Sequence, residues 1–300
     1  MSFKSLIADR LRQAAEALDE GVAATPDTID EKRSTVDVLD EYVSGLPLPQ
    51  NAVDVLPGWN MALPPQTGAI AGPAPFYADP RIIWALNVFG PLTGKSVLEL
   101  GPLEASHTFM LEQAGPARLQ AIEANRLSFL RCLVVKELLG LKIARFYLGD
   151  FQSWLTHHHE RYDLIVASGV LYHMLEPVRL LELIAARTDA FYLWTHYMSD
   201  AAMPPGDPRR EAFDGEASVV ESHGVSVRQY RRSYLGAWRQ KSFCGGMLDT
   251  HHWLDRDDIL ALISAVGFDD VRIAHDQPDH QNGPAFSIFA RRMNEAVSDD

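Results

Sequence analysis

Cysteine is scarce in this chain: Cys132 and Cys244 are the only two among 300 residues. Neither has a neighbour at metal-ligand spacing, so a disulfide framework and a thiolate zinc site are excluded, and both thiols are expected to be free. Long apolar runs are missing as well. No stretch approaches the roughly 20 residues that cross a bilayer, and the start, MSFKSLIADRLRQAAEALDE, is charged and helix-periodic rather than a secretory leader. The expectation is a cytoplasmic protein with no membrane partner. Positive charge is short too. A formal net charge of −13 disfavours a chain whose main task is gripping nucleic acid, because phosphate binding needs a cationic face that releases counterions. One basic stretch, RQYRRSYLGAWRQK from Arg228 to Lys241, leaves a local anion-binding patch open beside the reading as a solvated strand face.

What the chain does have is enough apolar residues, 47% of the total, to bury one large core with an accessory lobe. Residues 1–80 hold two helical patterns, Phe3 to Leu18 and Thr28 to Leu46, and then a Pro/Gly/Ala-rich run that reads as an ordered extended segment laid over another surface. The apolar face of the first helix is compatible with a homodimer. Over 81–197 the pattern alternates. A short helix at Arg81 to Phe89 precedes strand SVLEL (96–100), and strands at 118–124, 144–150, 162–169 and 190–197 follow, each of the first four trailed by a helix. Strands that are apolar on both faces, with helices between them, predict a parallel sheet covered on both sides.

Residues 198–254 form an insertion, with SVVES and VSVRQYRR joined at His223 and Gly224 as a hairpin. It leaves the carboxyl end of the fifth strand, where open α/β sheets bind ligands, which predicts a lid. Residues 255–292 supply a helix and then two strands too close together for a parallel crossover. The predicted fold is a doubly wound, seven-stranded α/β sheet with one antiparallel strand, N-terminal helices and an inserted lid hairpin.

The stretch SVLELGPLEASHT runs from a buried strand into a helix through a loop with a single glycine, Gly101. A dinucleotide loop offers several glycines and a ring of amides to a pyrophosphate; this loop does not. Further on, Glu123 ends the second strand, where a carboxylate can accept both hydroxyls of a ribose. Asp150-Phe151 follows the third strand, and YDLIVASGVLYHMLEP spans the fourth strand and its exit.

With these residues the chain resembles the class I S-adenosylmethionine-dependent methyltransferases over about residues 80 to 292. That family commonly has E/D-x-G-x-G-x-G after the first strand. Here Glu99-Leu100-Gly101 keeps the beginning, and Pro102, Leu103, Glu104 and Ala105 replace the rest. The resemblance implies S-adenosyl-L-methionine as cofactor. It places Glu99, Gly101, Pro102, His107 and Thr108 at the methionine end, Glu123 and Asn125 at the ribose, Asp150 and Phe151 at the adenine, and Ser168 and Gly169 at the fourth strand's exit.

GVLYHM and His107 are closest to the tRNA wobble-uridine carboxymethyltransferases, which use a carboxylated cofactor and a lysine near a Gly-Pro. Here Gly72-Pro73 follows Ala71 with no lysine nearby, which favours the ordinary cofactor.

Methyl transfer from a sulfonium needs alignment, exclusion of water and, for a hydroxyl acceptor, a base. His173 is the first candidate base because an imidazole titrates near neutrality and follows the fourth strand, with Tyr172 beside it to orient the acceptor. A structural histidine bonded to backbone is the alternative for His173. His196 closes the fifth strand as a second candidate, and THHWL brings His251, His252 and Trp253 toward the same opening. The His157 to His159 run reads as a solvated turn, no metal is expected, and the Asn282-Gly283 loop with Asp279 and His280 needs only its turn chemistry. The reading is a methyltransferase for a small-molecule acceptor, with oxygen the first choice of acceptor atom. Its rivals are a tRNA-modifying enzyme and a cofactor-binding regulatory protein that has lost catalysis.

Overall fold

A computed structural model describes residues 42–240 and 242–293. The chain divides into two compact units, Met1–Leu46 and Pro47–Asp300. The predicted helix from Phe3 to Leu18 lies outside the described residues. Of the second predicted helix only residues 42–46 are described, and these are not helical.

The proline-rich run of the second unit is mostly irregular, as expected, but opens with a short helix, α1 (Pro49–Asp54), started by a proline whose missing N–H costs nothing there. The run then folds back on itself. Met61 bridges Ala74, and the Ala62 N–H donates to the Ala74 carbonyl at 2.9 Å. Its Trp59 and Tyr77 pack with Val53 and Leu63 against Cys132 and Val135.

Helix α2 (Pro80–Phe89) begins at Asp79, whose carboxylate caps the Arg81 N–H at 2.9 Å. After it come β1 (Ser96–Leu100), α3 (Ser106–Gln113), β2 (Arg118–Glu123), α4 (Arg126–Leu139), β3 (Ala144–Leu148), α5 (Phe151–His157), β4 (Leu164–Ser168), α6 (Pro177–Arg187) and β5 (Ala190–His196). The chain then makes β6 (Ser218–Ser222), β7 (Val225–Ser233), β8 (Thr250–Leu254), α7 (Arg256–Ala265), β9 (Asp270–Gln277) and β10 (Ala285–Arg291).

Seven strands form one sheet in the order β3-β2-β1-β4-β5-β10-β9, with β1 to β5 parallel and β10 antiparallel to both neighbours. This is the predicted fold. Alternation along β1 explains its two cores: Val97 packs with α2 and α3 on one face, and Leu98 and Leu100 pack with α5, α6 and α7 on the other. The strand order reverses between β1 and β4, and the crevice at such a reversal is where ligands of open sheets bind.

The insertion carries a three-stranded antiparallel sheet, β6-β7-β8. The predicted hairpin turn is present: His223 (φ 51°) and Gly224 (φ 77°) both adopt the left-handed backbone that a tight two-residue turn requires. THHWL departs from expectation, because it is the strand β8, paired along β7 from Thr250 to Leu254. Arg228 on β7 ties this sheet to α7 through Asp258 and Asp255, each at 2.8 Å. Among the described residues no helix is long and apolar enough to cross a membrane.

Candidate active site

A cavity of about 1130 Å³ opens over the carboxyl ends of the parallel strands. Pockets that hold one drug-sized ligand span about 300–1,000 Å³, and this cavity lies above that range.

The loop from β1 to α3 forms one wall. Gly101 has φ +65°, and a Cβ there would meet Val170 Cγ1 at 2.7 Å, so no side chain fits. Leu103 (φ 53°) and Ala105 (φ 58°) share the left-handed conformation. These three positions are the glycine positions of the family pattern, so the loop keeps a glycine-loop backbone without two of the glycines. Each non-glycine residue held this way costs about 1–2 kcal/mol, and the surroundings supply the restraint. Glu123 accepts the Leu103 N–H at 3.0 Å and the Asn125 N–H at 2.8 Å. The fully buried Glu104 accepts from Asn60 N at 2.9 Å, Met61 N at 2.7 Å and Arg131 Nη1 at 2.9 Å, which fastens the loop to the proline-rich segment and to α4.

Of the residues assigned from the resemblance, Gly101, Pro102, His107, Glu123 and Asn125 line the cavity. Asp150, Phe151, Ser168 and Gly169 line it as well. Asp150 also caps α5, accepting from Gln152 N at 3.0 Å and Ser153 N at 3.2 Å. Burial raises the pKa of Glu123, with the backbone amides opposing it.

Glu99 and Thr108 depart from the assignment. Both are buried behind the cavity wall, where Thr108 Oγ1 donates to Glu99 Oε2 at 2.5 Å. Burial pushes the Glu99 carboxyl up from 4.5 to about 8, with the Thr108 hydroxyl opposing and the charge of Glu123 adding to the rise. The folded pKa lies above the unfolded one, so the stability this group contributes is complete below about pH 4.5 and is lost as pH rises to about 8. Glutamine cannot ionise. Glu99→Gln is therefore expected to gain stability over the wild type as pH rises through that window, read by urea unfolding at about pH 5 and about pH 8.5. A constant difference would show that Glu99 does not titrate there.

The three proposed catalytic side chains, Tyr172, His173 and His196, also meet at the cavity, beyond the fourth and fifth strands. Tyr172 sits between the two imidazoles, with ring centroids 4.0 Å from His173 and 4.6 Å from His196. His196 Nδ1 lies 2.8 Å from the Gly283 carbonyl and 3.2 Å from that of Pro284, and its ring stacks on Trp253. His173 Nδ1 lies 2.6 Å from the Tyr234 hydroxyl, which accepts the Gly246 N–H at 2.7 Å. Burial lowers the pKa of both histidines, His196 to about 4, with neighbouring imidazoles and Arg232 adding to the fall. Both are neutral at neutral pH.

None of His251, His252 and Trp253 lines the cavity. His251 stacks on Tyr234 with centroids 4.1 Å apart, His252 Nδ1 donates to the Leu175 carbonyl at 2.7 Å, and Trp253 is buried with Met198 and Met203. The β9–β10 loop does more than turn the chain, since His280 and Asn282 line the cavity with His275 and Gln277.

Several cavity residues escaped the sequence. Asp79 accepts a bidentate pair from Arg81 and lies 2.9 Å from His107 Nε2. Burial alone would raise its pKa, but His107 and Arg81 hold the carboxyl well below the carboxylate range. Arg81 lies over the Trp194 ring at 4.5 Å. The dipeptide Asp79-Pro80 signals a helix start but not the reach of the carboxylate to His107. His275 has φ +48° beside a register shift between β9 and β10, a bulge that places His275 and Gln277 on the cavity. Nothing in the local sequence marks it.

No protein-family model matches the chain, and no curated protein sequence does. Among solved structures it is similar to the N-terminal domain of EvdMO1, crystallised in the presence of SAH and D-fucose, at 20% identity and a TM-score of 0.55, covering 91% of this chain and 99% of that one. A second crystal structure of that domain, with SAH bound, matches at 18% identity and a TM-score of 0.55, with the same coverage. The whole EvdMO1 chain matches at 17% identity and a TM-score of 0.52, covering 91% of this chain and 50% of that one. At such identities the likeness is one of fold.

Proposed function

We propose that this protein is an S-adenosyl-L-methionine-dependent methyltransferase that acts on a hydroxyl of a small molecule. One observation carries the reading: a β1 loop with left-handed backbone at Gly101, Leu103 and Ala105, tied to Glu123, faces a cluster of neutral imidazoles across a single cavity. The cofactor fits the residues present. Gly101 leaves space for close backbone approach. Glu123 retains lone pairs for two ribose hydroxyls beyond the two amides it accepts, and Asp150 does so for the adenine amino group, with Phe151 as an apolar flank. When bound, the cofactor supplies a methyl group on a sulfonium and takes the electron pair of the broken carbon–sulfur bond.

The acceptor half of the cavity favours oxygen. Its walls are Tyr172, Trp194, Trp238, imidazoles and amides, while the lining carboxylates Glu123 and Asp150 lie at the cofactor end and Asp79 is held by Arg81 and His107. An aliphatic amine is a cation at neutral pH, and this half of the cavity would bury it without a counter-charge, a cost of several kcal/mol. A neutral hydroxyl enters without that cost, and the proton it gives up passes to an imidazole. The EvdMO1 crystals with SAH and D-fucose agree with this reading. The insertion then serves as the lid, contributing Trp238, Phe243 and Met247 to the cavity. The tRNA alternative draws less support from the basic stretch, where Arg228 is paired with Asp255 and Asp258 and Arg231 with Asp214.

Thermal unfolding with SAH, NADH or ATP tests the reading. SAH at 100 times its dissociation constant should add about 2.7 kcal/mol and raise the midpoint, while NADH and ATP leave it unmoved. A rise with NADH or ATP and none with SAH would replace the methyltransferase by another doubly wound enzyme.

A further inference from the structure

We propose that His196 and His173 carry their protons on opposite nitrogens and do opposite work: His196 Nε2 takes the acceptor's hydroxyl proton, and His173 Nε2–H donates to a second oxygen of the same acceptor. The acceptor is then a neutral molecule with neighbouring oxygens on one ring, such as a sugar or a catechol. This inference rests on the methyltransferase reading and deepens it.

Two carbonyl oxygens, of Gly283 and Pro284, face His196 Nδ1, and carbonyls only accept, so Nδ1 bears the hydrogen. In the neutral ring Nε2 is then a free lone pair, and among the described residues it has no hydrogen-bond partner. His173 has the reverse arrangement. The Tyr234 oxygen already accepts from Gly246 N, and its own hydrogen has one acceptor within reach among the described residues, His173 Nδ1 at 2.6 Å. Satisfying all three groups makes Tyr234 the donor, so the neutral His173 carries its hydrogen on Nε2 and is a donor rather than a base.

Both rings line one cavity on either side of Tyr172, so a single acceptor meets a lone pair and an N–H together. An N–H bonded to the attacking oxygen would draw electron density from it and lower its nucleophilicity; a neighbouring oxygen is its fitting partner. His280 extends the row, its ring centroid 5.0 Å from His196 and its Nδ1 accepting the Asn282 N–H at 3.2 Å. That bond leaves the His280 hydrogen on Nε2 in the neutral ring. In the step itself the acceptor oxygen bonds to the methyl carbon, the carbon–sulfur pair leaves with sulfur, and the oxygen's proton ends on His196 Nε2, to be lost to water.

Nitrogen-15 NMR of histidine-labelled protein with SAH present reads the tautomers without any acceptor, with His196→Asn and His173→Gln assigning the signals. The expected result at neutral pH is hydrogen on Nδ1 of His196 and on Nε2 of His173. Hydrogen on Nε2 of His196, or on Nδ1 of His173, overturns the proposal even if SAH binds, whereas absence of SAH binding overturns the methyltransferase reading separately.

Transfer of a radiolabelled methyl group to D-fucose or catechol, against benzoate and benzylamine, tests the acceptor class; a preference for either charged probe sinks it. With the better neutral probe, His196→Asn keeps the bond to Gly283, loses the base and should slow turnover by roughly 10²–10⁴-fold with SAH affinity retained. His173→Gln, which places an N–H where Nε2 sits, should retain more activity than His173→Asn. Equal losses for the two variants would deny the donor role.

Discussion

Replacing Glu104 with alanine is expected to remove about 3–5 kcal/mol of stability, the usual cost of breaking a buried ion pair by deleting one partner. The carboxylate is fully buried, and Arg131, its ionic partner, is buried with it. Alanine removes the carboxylate that Arg131 pairs with and strips the N–H groups of Asn60 and Met61 of their acceptor. For a unit of this size the midpoint should fall by roughly 6–20 °C. Glu104→Gln, which keeps one acceptor oxygen but not the charge, should fall in between. The loss has a functional side, because Glu104 stands between Leu103 and Ala105 and holds both in left-handed backbone. Urea unfolding checks the stability, and a loss under about 1 kcal/mol would mean that the loop is held by something other than this anchor.

The second large effect falls on the ligand. Glu123→Ala is expected to weaken SAH binding by roughly 100-fold or more, since two hydrogen bonds to a charged group contribute about 1.5–3 kcal/mol each. The same change releases Leu103 N and Asn125 N, so part of the loss comes through the loop. Glu123→Gln separates the two contributions. It keeps one acceptor and the side-chain volume, so the loop should persist while the charge-assisted part of the affinity disappears. Titration of both variants with SAH reads the difference, and wild-type affinity in Glu123→Ala would remove Glu123 from the ribose site.

The elements were legible where periodicity and punctuation agree. Strand and helix alternate visibly from Ser96 to His196, and His223-Gly224 marks its turn by residue type. THHWL was misread because its partner β7 lies far back in the chain, and strand pairing at that distance leaves no local pattern. The loop after β1 illustrates a different limit. Its glycine spelling is largely gone, yet its backbone is present, because hydrogen bonds accepted by the Glu123 and Glu104 carboxylates hold the loop in a conformation that residue identity alone would not suggest. Glu99 shows the converse. Its place in the motif matches the family, but alternation along β1 turns it to the Val97 face and away from the cavity. His173 and His196 could be named as neighbours of the sheet's carboxyl edge; which nitrogen of each holds the proton depends on Tyr234 and Gly283, far away in sequence.

Whether this cavity binds S-adenosylmethionine is decided by calorimetric titration of the wild-type protein with SAH. Saturable binding at one site per chain is expected, with a dissociation constant on the order of micromolar, near −8 kcal/mol. The absence of binding would contradict it and leave a doubly wound protein whose cavity serves another ligand.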